Sequence, residues 1–94
     1  MSEYMSEILA FCAGFARQFP GHSCEHSPGA GFDRSCQGFL VFEGTRRLGA
    51  PLLTDDLFDD APVAEILVRL ARARLLECLG KEKPVLFGNR GFIQ

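Results

Sequence analysis

The stretch Asp60–Gly80, DAPVAEILVRLARARLLECLG, has the periodicity and the punctuation of one long amphipathic helix. Pro62 suits a first helical turn, Asp59 or Asp60 can cap it, and Gly80 suits the position just past its end. Charge runs with the helix dipole: Asp59, Asp60 and Glu65 stand at the start, and Arg72, Arg74 and Lys81 toward the finish. At about 100° per residue, Val63, Ile66, Leu67, Val68, Leu70, Ala71 and Leu75 form one very broad apolar arc, leaving Glu65, Arg69 and Arg72 as the polar remainder. An arc that broad predicts a helix covered on two sides. Arg74 falls inside it, with Glu77 three residues on, and burying such a pair would cost desolvation. The last turns are therefore predicted to shift their contact to Leu75, Cys78 and Leu79, with Arg74 and Glu77 at the rim or facing a partner.

A second helix is predicted at the other end of the chain, over Ser2–Phe19. Ser2 is its candidate cap and Glu3 sits in its first turn. Tyr4, Ile8, Phe15 and Phe19 share one stripe, flanked by Met5, Leu9, Phe11 and Cys12, while Ser6, Ala10, Ala13 and Arg17 face away. Pro20-Gly21 ends it. Gly21–Ser35, GHSCEHSPGAGFDRS, then reads as one long mobile loop, since Gly, Ser and Pro dominate and Phe32 is its only apolar bulk.

Gln37–Thr54 reads as a β-hairpin, with Phe39–Phe42 as the first strand, Glu43–Arg46 as the turn and Arg47–Leu53 as the return. Four consecutive apolar residues in the first strand want cover on both faces. Gly49 and Pro51 demote the return strand to an edge. Past Lys81-Glu82-Lys83, Val85–Phe87 is a short strand, Gly88–Gly91 a turn, and Phe92-Ile93 a last stub or a folded-back tail. The predicted order is α-β-β-α-β(-β). Residues 1–94 form a single two-layer α+β domain, a small mostly antiparallel sheet packed with two amphipathic helices. Two helices on one face would leave the other open, so either the helices straddle the sheet or a second copy covers it, and a homodimer is expected.

Composition narrows the function classes. The net charge of −2 is too near neutral to imply nucleic acid or an acidic membrane by itself, and the eight basic residues from Arg46 onward share their half with seven acidic ones. Ile8–Ala16 is too short an apolar run to span a bilayer, so no membrane partner is expected. Glu3 and Glu7 stand where an export signal needs basic residues, which makes a cytoplasmic, reducing setting the expectation. The four cysteines then read as thiols, Cys12 and Cys78 as small hydrophobes on helix faces.

His22, Cys24, His26 and Cys36 are ligand types for zinc, but single-residue gaps followed by a long one do not match the paired spacing of structural sites. A zinc-stabilised module is thus the third reading, with no metal ligand or cofactor assigned. A histidine-activated thiol, Cys24 or Cys36, lacks an orienting third group, and no enzyme is expected. Gly29-Ala30-Gly31 and Gly88–Gly91 read as turns, since neither opens a helix. Asp55–Asp60, DDLFDD, sets two bulky apolar residues between paired carboxylates. Leu57 and Phe58 either plug the core edge or anchor a partner inside the acidic ring of Asp55, Asp56, Asp59 and Asp60, and these six are the assigned partner-binding residues. Arg46 and Arg47 at the hairpin tip with Arg69 and Arg72 on the helix would form a phosphate-contacting strip if hairpin and helix lie side by side. The leading expectation is a small non-enzymatic module binding another protein as an adaptor, regulator or inhibitor. A nucleic-acid-binding regulator using the arginines is the alternative.

Overall fold

The computed structural model describes residues 5–27, 36–79 and 85–93. Ser2, Glu3 and Tyr4, the 28–35 part of the expected loop, and Gly80–Lys83 lie outside them. The elements, in order, are α1 (Met5–Gln18), β1 (His22–Ser27), β2 (Cys36–Glu43), β3 (Arg46–Gly49), β4 (Leu52–Thr54), α2 (Asp55–Asp60), α3 (Val63–Arg72), α4 (Leu75–Leu79), β5 (Leu86–Gly88) and β6 (Gly91–Ile93). The strands make one mixed six-stranded sheet, ordered β1-β2-β4-β5-β6, with β3 paired beside the far half of β2. All pairings are antiparallel except β4 with β5, where Leu52 matches Leu86 and Leu53 matches Phe87. The α+β architecture expected from the sequence is therefore present, with the antiparallel hairpin of Gln37–Thr54 at its centre.

Three elements differ from expectation, each for a local reason. The first half of the expected loop is a strand. HSCEHS has little intrinsic strand preference, but all six residues pair with β2, from His22 opposite Glu43 to Ser27 opposite Gly38. The return strand of the hairpin is split: β3 and β4 lie end to end along β2, interrupted at Ala50-Pro51. Pro51 keeps the seam by accepting a hydrogen bond from the Phe39 N–H at 3.0 Å. Far from being an edge, β4 is flanked by β2 and β5.

The long helix is the third difference. It breaks at Arg74, whose φ of 59° lies in the left-handed region, so α3 stops at Arg72 and α4 restarts at Leu75. Nor do Asp59 and Asp60 cap it; Pro62 is the flanking residue, extended at φ −67°, ψ 154°. The break re-aims the last turn, putting Leu75 and Leu79 into the core while Arg74 and Glu77 stay exposed and 3.9 Å apart. Leu79 closes over Gly49 in β3, where an added Cβ would lie 3.1 Å from its Cδ2.

All helices cover one face of the sheet. A single core joins Ile8, Phe11 and Phe15 of α1, Leu57 and Phe58 of α2, and Ile66, Leu67 and Leu70 of α3 to Phe39, Val41, Leu53 and Phe87 of the strands. Of the broad arc of α3, Ile66, Leu67 and Leu70 are buried, with Gly14 of α1 so close that a Cβ would meet Leu67 Cδ1 at 2.7 Å, whereas Val68 is left 37% exposed, so the arc is wider than its cover.

Candidate functional site

The strand registers decide what the opposite face carries. Because side chains alternate, the residues beside Leu40 and Phe42 in β2 share the face turned from the helices. Pairing places Ser23 and Glu25 of β1, Arg47 of β3, Leu52 of β4, Leu86 of β5 and Ile93 of β6 there. Phe42, Leu40, Leu52, Leu86 and Ile93 thus form a continuous apolar row across the sheet. All five keep solvent exposure, and none belongs to the core. The sequence anticipated this through the doubly apolar Phe39–Phe42, whose odd members Phe39 and Val41 are fully buried under the helices.

The DDLFDD residues are arranged otherwise than an exposed anchor requires. They form α2, and Leu57 and Phe58 are 0% and 6% exposed, turned into the core. The Phe58 ring centroid lies 6.1 Å from that of Phe11 and 6.3 Å from that of Phe39. Asp55 and Asp60 have structural work. Asp55 accepts a hydrogen bond from Gln37 Nε2 at 2.9 Å, and Gln37 Oε1 is 3.2 Å from His26 Nε2. Asp60 accepts one from Asn89 Nδ2 at 2.8 Å, tying the β5–β6 turn to α2. Asp56 and Asp59 are exposed.

The four arginines do not make one strip. Arg46 and Arg47 lie at the β2–β3 end of the sheet, where Arg46 pairs with Glu43 at 3.0 Å. Arg69 lies at the other end, 3.2 Å from Glu65 and near Asn89 in the β5–β6 turn. The parallel pairing of β4 with β5 puts those two turns at opposite ends of the sheet. Arg47 is on the outer face, whereas Arg69 and Arg72 ride on the helical layer.

His22, Cys24, His26 and Cys36 do not converge either. Cys24 opposes Val41 on the helix side, while Cys36 opposes Thr54 on the other. His22 Nδ1 lies 3.0 Å from the Pro20 carbonyl oxygen and Nε2 3.5 Å from Glu43. Among the described residues no group of three or more His, Cys, Asp or Glu is placed to hold a metal ion, and no helix is long and apolar enough to cross a membrane.

Sequence reasoning missed a pairing at the α1–β1 corner. Cys12, half-buried on α1, and Cys24, buried on β1, are hydrogen-bonded thiol to thiol. The Cys24 S–H facing Cys12 holds the Cys12 thiol below its ordinary pKa against the opposing effects of burial and of Glu25, with help from the His26 backbone. The same hydrogen bond, then burial, pushes the Cys24 thiol far up, so Cys24 keeps its proton. The signal was present: His22, Cys24 and His26 alternate with Ser23, Glu25 and Ser27, a period of two inside a stretch read as loop.

Comparison with protein-family models, curated proteins and solved structures finds no match to this chain.

Proposed function

We propose that this chain is a protein-binding module, an adaptor, regulator or inhibitor without catalytic activity, whose docking surface is the outer face of the sheet. The observation that supports the reading is the row Phe42, Leu40, Leu52, Leu86 and Ile93, which the registers line up on the face opposite the helices. A contiguous apolar patch rimmed by polar groups is what a protein interface offers. Here Ser23 and Glu25 border it along β1, and Arg47 at the β3 end. The slightly acidic charge balance and the separation of the arginines favour protein over nucleic acid.

The first partner to test is a second copy of the chain. Sedimentation at micromolar concentration is expected to give a dimer, and Phe42→Asp with Leu52→Asp to give a folded monomer. A wild-type monomer would remove the homodimer. Charged outer-face substitutions that unfold the chain would show that the row supports folding, and would overturn the docking reading. Binding of duplex DNA that weakens steeply with salt would favour the nucleic-acid alternative.

A further inference from the structure

Protein docking on the outer sheet face makes no use of the helical layer, where α1 and α3 leave an open groove between them. We propose that this groove binds a monocarboxylate with a straight apolar chain, a medium-chain fatty acid, whose carboxylate is held by Arg17. The groove and the outer face lie on opposite layers of the fold, so neither depends on the other.

The groove has a volume of about 460 Å³, within the roughly 300–1,000 Å³ of small-molecule sites. Leu67, itself buried, packs against Gly14 at its base. Along its walls the side chains are short, Ala10 on α1 and Ala64 on α3, and both residues are exposed. Val68 completes the apolar lining. This is the part of the α3 arc that the core does not cover, so a chain laid along it removes apolar surface that folding has left in water.

Charge selects the head group. Arg17, in the last turn of α1, is the charged residue of the lining, and Gln18 beside it adds amide donors. Arg17 is exposed, and among the described residues it takes part in none of the ion pairs, which join His22 and Arg46 to Glu43, Arg69 to Glu65 and Arg74 to Glu77. No acidic residue lines the groove. A guanidinium presents two parallel donors that match a carboxylate, so an anionic head gains a pair, a neutral one leaves the guanidinium unused and a cationic one is repelled. From Arg17 back to Ala10 is two turns of helix, about 11 Å, the reach of an extended chain of about eight carbons. A partner's helix, about 10–12 Å across with its side chains, is too thick to be seated in this volume, whereas a single alkyl chain fits it.

The test titrates octanoate into the full chain and follows the backbone amides by two-dimensional NMR. The expected result is saturable shifts at Ala10, Gly14, Ala64 and Val68, with octanol binding more weakly and octyltrimethylammonium leaving those amides in place. Arg17→Gln should lower the octanoate affinity about tenfold, as loss of a charge-assisted pair does, and leave the octanol affinity unchanged. Ala64→Phe, at an exposed position where the ring fills the groove, should abolish binding at an unchanged melting temperature. Absence of saturable shifts, shifts centred on Phe42 and Leu52 of the outer face, octanoate binding no tighter than octanol, or an affinity that Arg17→Gln does not change would each overturn the proposal. So would concentration-dependent shifts of the same amides without ligand, which assign the groove to a second copy of the chain. Because the wild-type map and the octanol comparison need no substitution, they decide even if a variant fails to fold.

Discussion

Phe58→Ala tests whether DDLFDD belongs to the core or to a partner. In the structure Phe58 is 6% exposed and its ring stands between those of Phe11 and Phe39. Truncation removes nearly a whole buried ring and leaves a cavity bounded by α1, β2 and α2. Burial of an aromatic side chain and the cavity left behind together cost about 3–5 kcal/mol. For a domain of this size, at roughly 5 °C per kcal/mol, the melting midpoint should fall by about 15–25 °C. Urea unfolding should show a lower midpoint with an unchanged slope, and Phe58→Leu should recover most of the loss. The sequence reading, which assigned Leu57 and Phe58 to a partner, implies the opposite: a small drop in stability with loss of binding. A loss under about 1 kcal/mol would refute the core assignment, since no fully packed phenylalanine is that dispensable.

Two further perturbations follow from the backbone and from the thiol pair. Arg74 occupies the left-handed region at φ 59°, and its ion pair with Glu77 is exposed at 3.9 Å. Arg74→Gly should therefore raise stability in denaturant unfolding by roughly 0.5–1 kcal/mol, the relief of strain exceeding the added unfolded-state freedom; destabilisation would contradict the break between α3 and α4. For Cys12, whose ionisation is shifted down by the Cys24 hydrogen bond, iodoacetamide labelling followed by mass spectrometry should persist to lower pH than labelling of a small free thiol. Cys24, shifted up by the same bond, should stay unlabelled there, and equal pH profiles for the two would contradict the pairing.

What could be read from the sequence was what depended on period and punctuation. The stripe Ile8, Phe11, Phe15 and the arc of Ile66, Leu67 and Leu70 identify two core-facing helices, and Phe39–Phe42 with its turn identifies the central hairpin. What could not be read depended on tertiary neighbours. HSCEHS becomes β1 because β2 offers an edge; its period of two was legible, but its residues carry little strand preference of their own. Nothing in RARLL announces a break, since arginine and leucine favour helix; the turn at Arg74 goes with the fit of Leu75 and Leu79 against the core and Gly49. For the candidate site, the excess of apolar residues in β2 was legible, whereas the row completed by Leu52, Leu86 and Ile93 needed the register. The Cys12–Cys24 contact needed β1 itself.

The parallel match of Leu52 with Leu86 has a kinetic consequence. Everything from α1 to β4 is joined by short connections, so its pairings can form among neighbours in sequence. β5 cannot reach β4 until the whole run through α2, α3 and α4 has been laid across the sheet, a loop closure whose entropy must be met before any contact rewards it. Until then the open side of β4 and the space for Phe87 are exposed. During synthesis β5 leaves the ribosome after β4 and the three helices between them, so the interval before β5 arrives is when the open side of β4 is most vulnerable to pairing with another chain. The Asn89 side chain that holds the β5–β6 turn to Asp60 then acts as the latch that ends that interval.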